Sequence, residues 1–279
     1  MKISLVTYFY NDAIKYIDTF LSALSKQTVQ NFDLIVFNDS VEKPETYFTD
    51  YKRSIKFIAV SGTPTQVRFQ SFEYLNKSDT DYIIFQDIDD SMSENRVEVL
   101  SHLLNEYDIV SNDLSLMNDS GELYQASIWS DKLKDLFTFE YNFIKDKNIV
   151  GIGNSAIKKT ILKHSLKYSA IPKVADWFMF YQLMYNGKLT AVFTTKCQTL
   201  YRQHPNNMAG VRSLDNKRLL YVMEVKKFHY LGLKEANFNV EKELKELEAI
   251  EKKISETHTT NPNTENLFWW DETNHLIIN

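Results

Sequence analysis

Cysteine, glycine, proline and excess basic charge are all scarce here, and each scarcity excludes something. One cysteine, Cys197, excludes an internal disulfide framework and a cysteine-based zinc site, and it fits a reducing compartment. Glycine occurs 7 times and proline 5 times in 279 residues, where glycine usually makes up about 7 % of a chain. A glycine-rich phosphate loop is hard to build from so few. Neither GxGxxG nor GxxxxGK[ST] occurs, so the dinucleotide and P-loop fingerprints are absent. No window reaches about 18 uncharged apolar residues, so no membrane-spanning helix is expected. The opening MKISLVTYFYND is expected to be a first strand rather than a signal peptide. A formal net charge of −5 argues against a nucleic-acid partner. It leaves room for an anionic small ligand, because a metal ion can bridge two negative groups.

What is present is an ordinary globular composition, 43 % apolar and 25 % charged, with 14 % aromatic residues. The first hundred residues alternate in character. Residues 2–7, 32–37, 55–60 and 81–86 read as strands, and residues 12–26 and 65–76 read as helices. Strands separated by helices predict βαβ units, a mostly parallel sheet and an α/β class. Ligands of such sheets sit beyond the carboxyl ends of the strands, which directs attention to the residues after 7, 37, 60 and 86. Further on, helices are predicted over 94–106, 155–165, 176–186, 212–231 and 240–257. Strands are predicted over 107–112, 123–129 and 189–194.

Asp87-Ile88-Asp89-Asp90 follows the strand DYIIFQ directly. On extended backbone Asp87 and Asp89 would point the same way, giving an oxygen-rich site for Mg²⁺ or Mn²⁺ that phosphates could complete. The plain alternative is a solvated acidic loop, or a helix start capped by Ser91 or Ser93. His204 lies in Tyr201-Arg202-Gln203-His204. Its imidazole suits Mn²⁺-like metals and Arg202 could reach a phosphate, or the segment is an ordinary polar loop. Asp176 in Ala175-Asp176-Trp177 is either a helix N-cap or a general base, with Trp177 as an apolar, sugar-stacking wall. Tyr8, Asn11 and Asp39 follow the first two strands, and Arg68 precedes the acidic one.

In their order, Tyr8-x-x-Asn11, Phe37-Asn38-Asp39-Ser40, Arg68, Phe85-Gln86-Asp87-Ile88-Asp89-Asp90, Ala175-Asp176-Trp177 and Tyr201-Arg202-Gln203-His204 make residues 1–210 resemble glycosyltransferase family 2. The resemblance implies a GT-A fold: a mostly parallel central sheet flanked by helices, here with a helical C-terminal extension. It implies an inverting, metal-dependent hexosyltransferase-like enzyme that moves a sugar from a nucleotide-diphosphate donor, a UDP-sugar above others. The acceptor would be a hydroxyl of a glycan or lipid-linked molecule, as in polysaccharide biosynthesis. Carried over, Tyr8, Asn11, Asp39, Arg68 and Asp87 would bind the nucleotide. Asp87 would contact the ribose or the metal, Asp89 would bind Mn²⁺ or Mg²⁺ beneath the diphosphate, His204 would add a metal ligand or touch the diphosphate, and Asp176 would be the catalytic base. Trp177 and Arg202 would line the acceptor and donor wall. The pattern departs at Thr7, where a proline is usual, at Ala175, where an acid is usual, and at Ser40, where Gly-Ser is usual. The competing readings are a GT-A binding module without activity and a sugar nucleotidyltransferase.

The expected organisation is a catalytic domain over 1–210, with a nucleotide-binding half at 1–100 and an acceptor half at 101–210, followed by a helical extension and aromatic tail over 211–279. Phe268, Trp269 and Trp270 in that tail leave three fates open: packing on the catalytic domain, a contact between subunits of a homo-oligomer, or a peripheral membrane foot. Lys and Glu balance on helix 240–257, whereas an anionic-membrane anchor would be more basic. Deleting 259–279 is therefore expected to alter oligomeric state or stability before donor binding. The expected location is cytoplasmic, free or peripheral on the inner face of the cell membrane.

Overall fold

Period-two alternation of apolar side chains builds the centre of the molecule. In β1 (Ile3–Phe9), Leu5 and Phe9 face one layer while Val6 and Tyr8 face the other. In β2 (Asp33–Asp39), Leu34 and Val36 oppose Ile35 and Phe37. Strands buried on both faces read as continuous apolar runs. The computed structural model describes residues 1–204, 207 and 216–256. After β2 come β3 (Ile55–Val60), α2 (Pro64–Lys77), β4 (Tyr82–Phe85), β5 (Ser91–Met92), α3 (Arg96–Leu103), β6 (Ile109–Met117), β7 (Leu123–Gln125), β8 (Phe137–Phe139), β9 (Ser155–Lys158), α4 (Ala175–Gly187), β10 (Ala191–Arg202), α5 (Asn216–Glu235) and α6 (Glu241–Glu256). The α1 helix (Ile17–Ser25) follows β1 through a 3-10 turn over Asn11–Tyr16.

The sheet order is β3-β2-β1-β4-β9-β6-β10-β5, with β7 on β6 and β8 on β10. The β3-β2-β1-β4 block is parallel throughout, as the first hundred residues predict, and β6 and β10 are parallel to each other. Between the two blocks β9 runs antiparallel to both neighbours, so the whole sheet is mixed. Its α/β class is the expected one.

One expected helix is a strand instead. Residues 155–165 form β9 followed by a 3-10 turn over Lys159–Lys163. Four residues are too few to display a period of two, while Ile157 and Ile161 happen to repeat at helical spacing. The β9 strand is fixed by its place between β4 and β6, which no local pattern reveals.

Two helical layers cover the sheet. Ile17, Phe20 and Leu24 of α1 and Val97 and Leu100 of α3 pack on one face. The helices α2, α4, α5 and α6 cover the other. Every residue from Trp177 to Met184 is buried, as expected of a helix enclosed on all sides. The two C-terminal helices extend that core through Val222, Met223, Leu233, Leu247, Ile250 and Ile254. No helix among the described residues is long and apolar enough to cross a membrane. The aromatic tail and the predicted helix start at 212 lie outside the described residues.

Candidate active site

The parallel strands bring the residues after β1, β2 and β4 to one edge of the sheet, and the end of β10 reaches the same edge. A cavity of about 1190 Å³ opens there. Tyr8, Asn11, Asp39, Arg68, Asp87, Asp89, Asp176 and His204 all line it. They come from six separate stretches of the chain, which the fold brings together.

The acidic turn lies at the centre. The β4 strand ends at Phe85, so the acidic residues sit in a turn, closed by Asp90 N–H donating to the Asp87 carbonyl at 3.3 Å. Both Asp87 and Asp89 nevertheless face the cavity. Asp87 Oδ1 accepts from Arg68 Nη2 at 3.4 Å. The Arg68 guanidinium lies flat over the Tyr8 ring, 3.4 Å from its centroid, a cation–π contact. Tyr8 is held in turn by a 2.6 Å bond between its hydroxyl and Ser71 Oγ. Arg68 Nη1 is buried without a hydrogen-bond partner among the described residues. A buried unpaired donor is costly, so this one is suited to an oxygen brought by a ligand.

Asp89 has different partners. Its Oδ2 accepts from the Tyr10 hydroxyl at 3.2 Å and lies 3.1 Å from His204 Nε2. Burial, with the nearby Asp89 and Asp87, raises the Tyr10 pKa and keeps its phenol a donor. Tyr16 stacks on the His204 ring at 5.8 Å and donates to Asp119 Oδ1 at 2.5 Å. Burial also pushes the Asp87 carboxyl up to about 6, with Asp89 and Asp176 adding to the rise and Arg68 and Arg96 opposing it. Burial, with Asp89 and Asp87 beside it, also holds the Asp90 carboxyl above its usual range. Crowded carboxylates of this kind are poised for a cation.

Asp176 sits in the first turn of α4, after the N-cap Val174. Its Oδ2 accepts from the Ile152 N–H at 3.0 Å and its Oδ1 from the Trp177 N–H at 2.8 Å. Both oxygens are anchored to backbone, and the carboxylate still faces the cavity.

Two expected wall residues lie elsewhere. Trp177 is wholly buried in the core, its ring stacked 3.6 Å from His229 and its Nε1 donating to the Ile144 carbonyl at 2.5 Å. Side chains one apart on a helix point about 100° apart, so when Asp176 faces the cavity Trp177 turns inward. Arg202 is also buried. Its Nε donates to the Asp89 carbonyl at 2.7 Å and its Nη1 to the Asp119 carbonyl at 2.7 Å, while its own N–H donates to Asp90 Oδ1 at 2.8 Å. It braces the acidic turn from behind rather than reaching a phosphate. Ser91 and Ser93 are not the helix cap either: the N-cap of α3 is Asn95.

Sequence reasoning missed Tyr10, Tyr16, Asn148, Ile152 and Lys173, which also line the cavity. Tyr10 was within reach of the rule that chemistry follows strand ends. The Gly151-Ile152-Gly153 segment also carried a signal, two of only seven glycines within three residues.

No family model matches the chain, and no curated protein sequence is similar to it. Solved structures are similar. S. aureus TarS 1–349 in complex with UDP-GlcNAc superposes with a TM-score of 0.55 at 14 % identity, covering 91 % of this chain and 72 % of that one. S. aureus TarS 1–349 alone gives 0.54 at 14 % identity, over 99 % and 80 %. A longer S. aureus TarS chain gives 0.55 at 14 % identity, over 93 % of this chain and 44 % of that one. Likeness at this level of identity is likeness of fold, and the fold it shows is GT-A: an α/β architecture with a mixed central sheet flanked by helices.

Proposed function

We propose that this chain is an inverting glycosyltransferase that takes a sugar from a nucleotide-diphosphate donor, most simply a UDP-sugar, and places it on an acceptor hydroxyl. One observation carries the reading. Asp87, Asp89, His204 and Asp176, from distant parts of the sequence, converge on one cavity at the carboxyl ends of a GT-A sheet. At about 1190 Å³ the cavity exceeds the roughly 300–1,000 Å³ usual for a single ligand, so it has room for a donor and an acceptor together. The TarS fragment of the same fold is described in complex with UDP-GlcNAc, which favours UDP as the nucleotide.

The donor set fits a divalent cation. Asp89 supplies a carboxylate and His204 an imidazole nitrogen, held 3.1 Å apart at the cavity wall. Among the described residues no group of three or more His, Cys, Asp or Glu could enclose a metal. The two ligands Asp89 and His204 are enough for Mg²⁺ or Mn²⁺, which commonly take one or two protein ligands and complete their shell with phosphates and water. When bound, the cation would neutralise charge on the leaving diphosphate.

The chain's own residues do the rest. Tyr8, Asn11, Asp39, Arg68 and Asp87 would hold the nucleotide, with Arg68 offering its free Nη1. Asp176 would accept the proton of the acceptor hydroxyl. That oxygen forms the new bond to the anomeric carbon, and the bond to the diphosphate breaks with its electron pair leaving on phosphate oxygen. A single displacement from the opposite face inverts the centre. The two backbone N–H groups on Asp176 fix the carboxylate plane before the acceptor arrives, which limits reorganisation.

Asp176→Asn keeps the outline, removes the proton acceptor and gives up one of the two backbone bonds, since the amide has a single acceptor oxygen. It is expected to leave Mn²⁺-dependent UDP affinity unchanged and to lower turnover about 10²–10⁴-fold. Calorimetry and UDP-release assays on both proteins check this, and an Asn variant with wild-type kcat would remove Asp176 from the mechanism.

A further inference from the structure

Between Asp176 and Asp87 runs Gly151 followed by the 3-10 turn Ile152–Asn154. The segment is tied down from beneath. The Gly153 carbonyl accepts from Arg96 Nη2 at 3.2 Å and from Thr199 Oγ1 at 2.9 Å. Arg96 is fully buried and also donates to the Phe85 carbonyl at 2.9 Å, Gln86 Oε1 at 3.1 Å and Asn112 Oδ1 at 2.8 Å. The Asn154 side chain accepts from Gly151 N–H at 2.8 Å and donates to the Asn112 and Ile149 carbonyls at 2.9 Å. The segment is thus held directly to β6 and β10, and to β4 through Arg96.

The other side of the segment meets the two functional ends. Ile152 N–H donates to Asp176 Oδ2 at 3.0 Å. A Cβ on Gly151 would stand 3.0 Å from Asn154 Oδ1 and 3.3 Å from Asp176 Oδ2. A Cβ on Gly153 would stand 2.8 Å from Asp87 Oδ2 and 3.4 Å from Asp90 Oδ2. Neither glycine has a left-handed backbone, so alanine fits their dihedrals. What each position requires is the missing methyl.

We infer that Gly151 and Gly153 are positioning residues that set the two halves of the reaction separately: Gly153 fixes the acidic turn that receives the donor, and Gly151, through Ile152 N–H, fixes the base. The inference rests on the glycosyltransferase reading for its functional consequence and on the ligand-free geometry for its structural one. A role in folding alone would move donor binding and turnover together. Separate positioning splits them.

The test uses wild type, Gly151→Ala and Gly153→Ala. UDP with Mn²⁺ is titrated calorimetrically, UDP release from UDP-GlcNAc is followed, and hydrogen exchange of the Ile152 amide is measured on the ligand-free proteins. Gly153→Ala is expected to weaken UDP binding about 10–100-fold while kcat at saturating donor stays near wild type. Gly151→Ala is expected to lower kcat about 10–100-fold with UDP affinity kept, and to speed Ile152 exchange, which Gly153→Ala leaves alone. Should Gly153→Ala fail to fold, Thr199→Val, which removes the hydroxyl on the Gly153 carbonyl, is expected to weaken UDP binding in the same direction. Equal changes in affinity and kcat from both glycine substitutions, or no change from either, overturn the inference. A wild type that neither binds UDP nor releases it from UDP-GlcNAc overturns the glycosyltransferase reading, and exchange then decides alone. Faster Ile152 exchange in Gly151→Ala and in Asp176→Ala supports the positioning contact, and unchanged exchange refutes it.

Discussion

Neighbouring residues can have opposite duties, and Asp176 and Trp177 show how. Asp176 faces the cavity, and Trp177, one step along α4, is wholly buried against His229. Trp177→Ala is therefore expected to destabilise the protein by about 3–5 kcal/mol, the usual cost of emptying a large aromatic site. Trp177→Phe keeps a ring on His229 but leaves the Ile144 carbonyl unpaired and a smaller void, a loss of about 1–3 kcal/mol. Urea unfolding of both variants measures this, and near-wild-type stability for Trp177→Ala would return Trp177 to a surface role. The same separation holds around the acidic turn. Asp89 and His204 face each other at 3.1 Å while Arg202 grips the Asp89 and Asp119 carbonyls from behind. Asp89→Ala is expected to lose most Mn²⁺-dependent UDP affinity. Residual UDP affinity that no longer responds to Mn²⁺ is the signature to look for in the titration, and unchanged metal dependence would move the cation elsewhere.

At the scale of elements, α5 meets α4 through a buried histidine. His229 stacks on Trp177 with an interplanar angle of 3°, and both ring nitrogens lack hydrogen-bond partners among the described residues. Burial, with Lys226 adding to it, holds its pKa well below the usual histidine value. Above about pH 6.5 the folded and unfolded chains both carry it neutral, so it contributes no pH dependence there. Below that value the unfolded chain takes up a proton that the folded chain refuses, and stability falls by up to about 1.4 kcal/mol per pH unit from this group. His229→Phe keeps the flat stack and removes the titration. The melting temperature of the variant relative to wild type is expected to rise steadily from pH 7 to pH 5, and a constant difference would show that His229 does not titrate across unfolding. Elements also decide what the sequence disclosed. The parallel block β3-β2-β1-β4 was legible because each strand is a short run rich in apolar and β-branched residues, ended by polar residues. The β9 strand was not, because four residues between β4 and β6 take their form from neighbours distant in sequence. Eight of the expected site residues lie at or just past strand ends or in the first two turns of helices, and they line the cavity together. Trp177 and Arg202 were misplaced because residue type suggested chemistry, and only the packed core shows which way each side chain turns.

For the whole molecule, one sheet edge gathers the chemistry and the C-terminal helices support it from the side. The α6 helix covers α5 with Leu247, Ile250 and Ile254, all buried, and Lys227 pairs with Glu251 at 3.2 Å across the two helices. Neither helix lines the cavity. A chain ending after Asn239 is expected to melt lower because an apolar face is uncovered, yet to bind UDP with Mn²⁺ as the full chain does when assayed well below its melting temperature. Lost UDP affinity in a folded truncated chain would assign the extension to the donor site. The central claim is that the cavity binds a nucleoside diphosphate through a divalent cation at Asp89 and His204. Calorimetric titration of UDP into the wild-type protein, with Mn²⁺ and then with EDTA, tests it most directly. Binding that needs Mn²⁺ and is abolished by EDTA is the predicted result. Equal affinity with and without the metal, or no binding in either case, would contradict it.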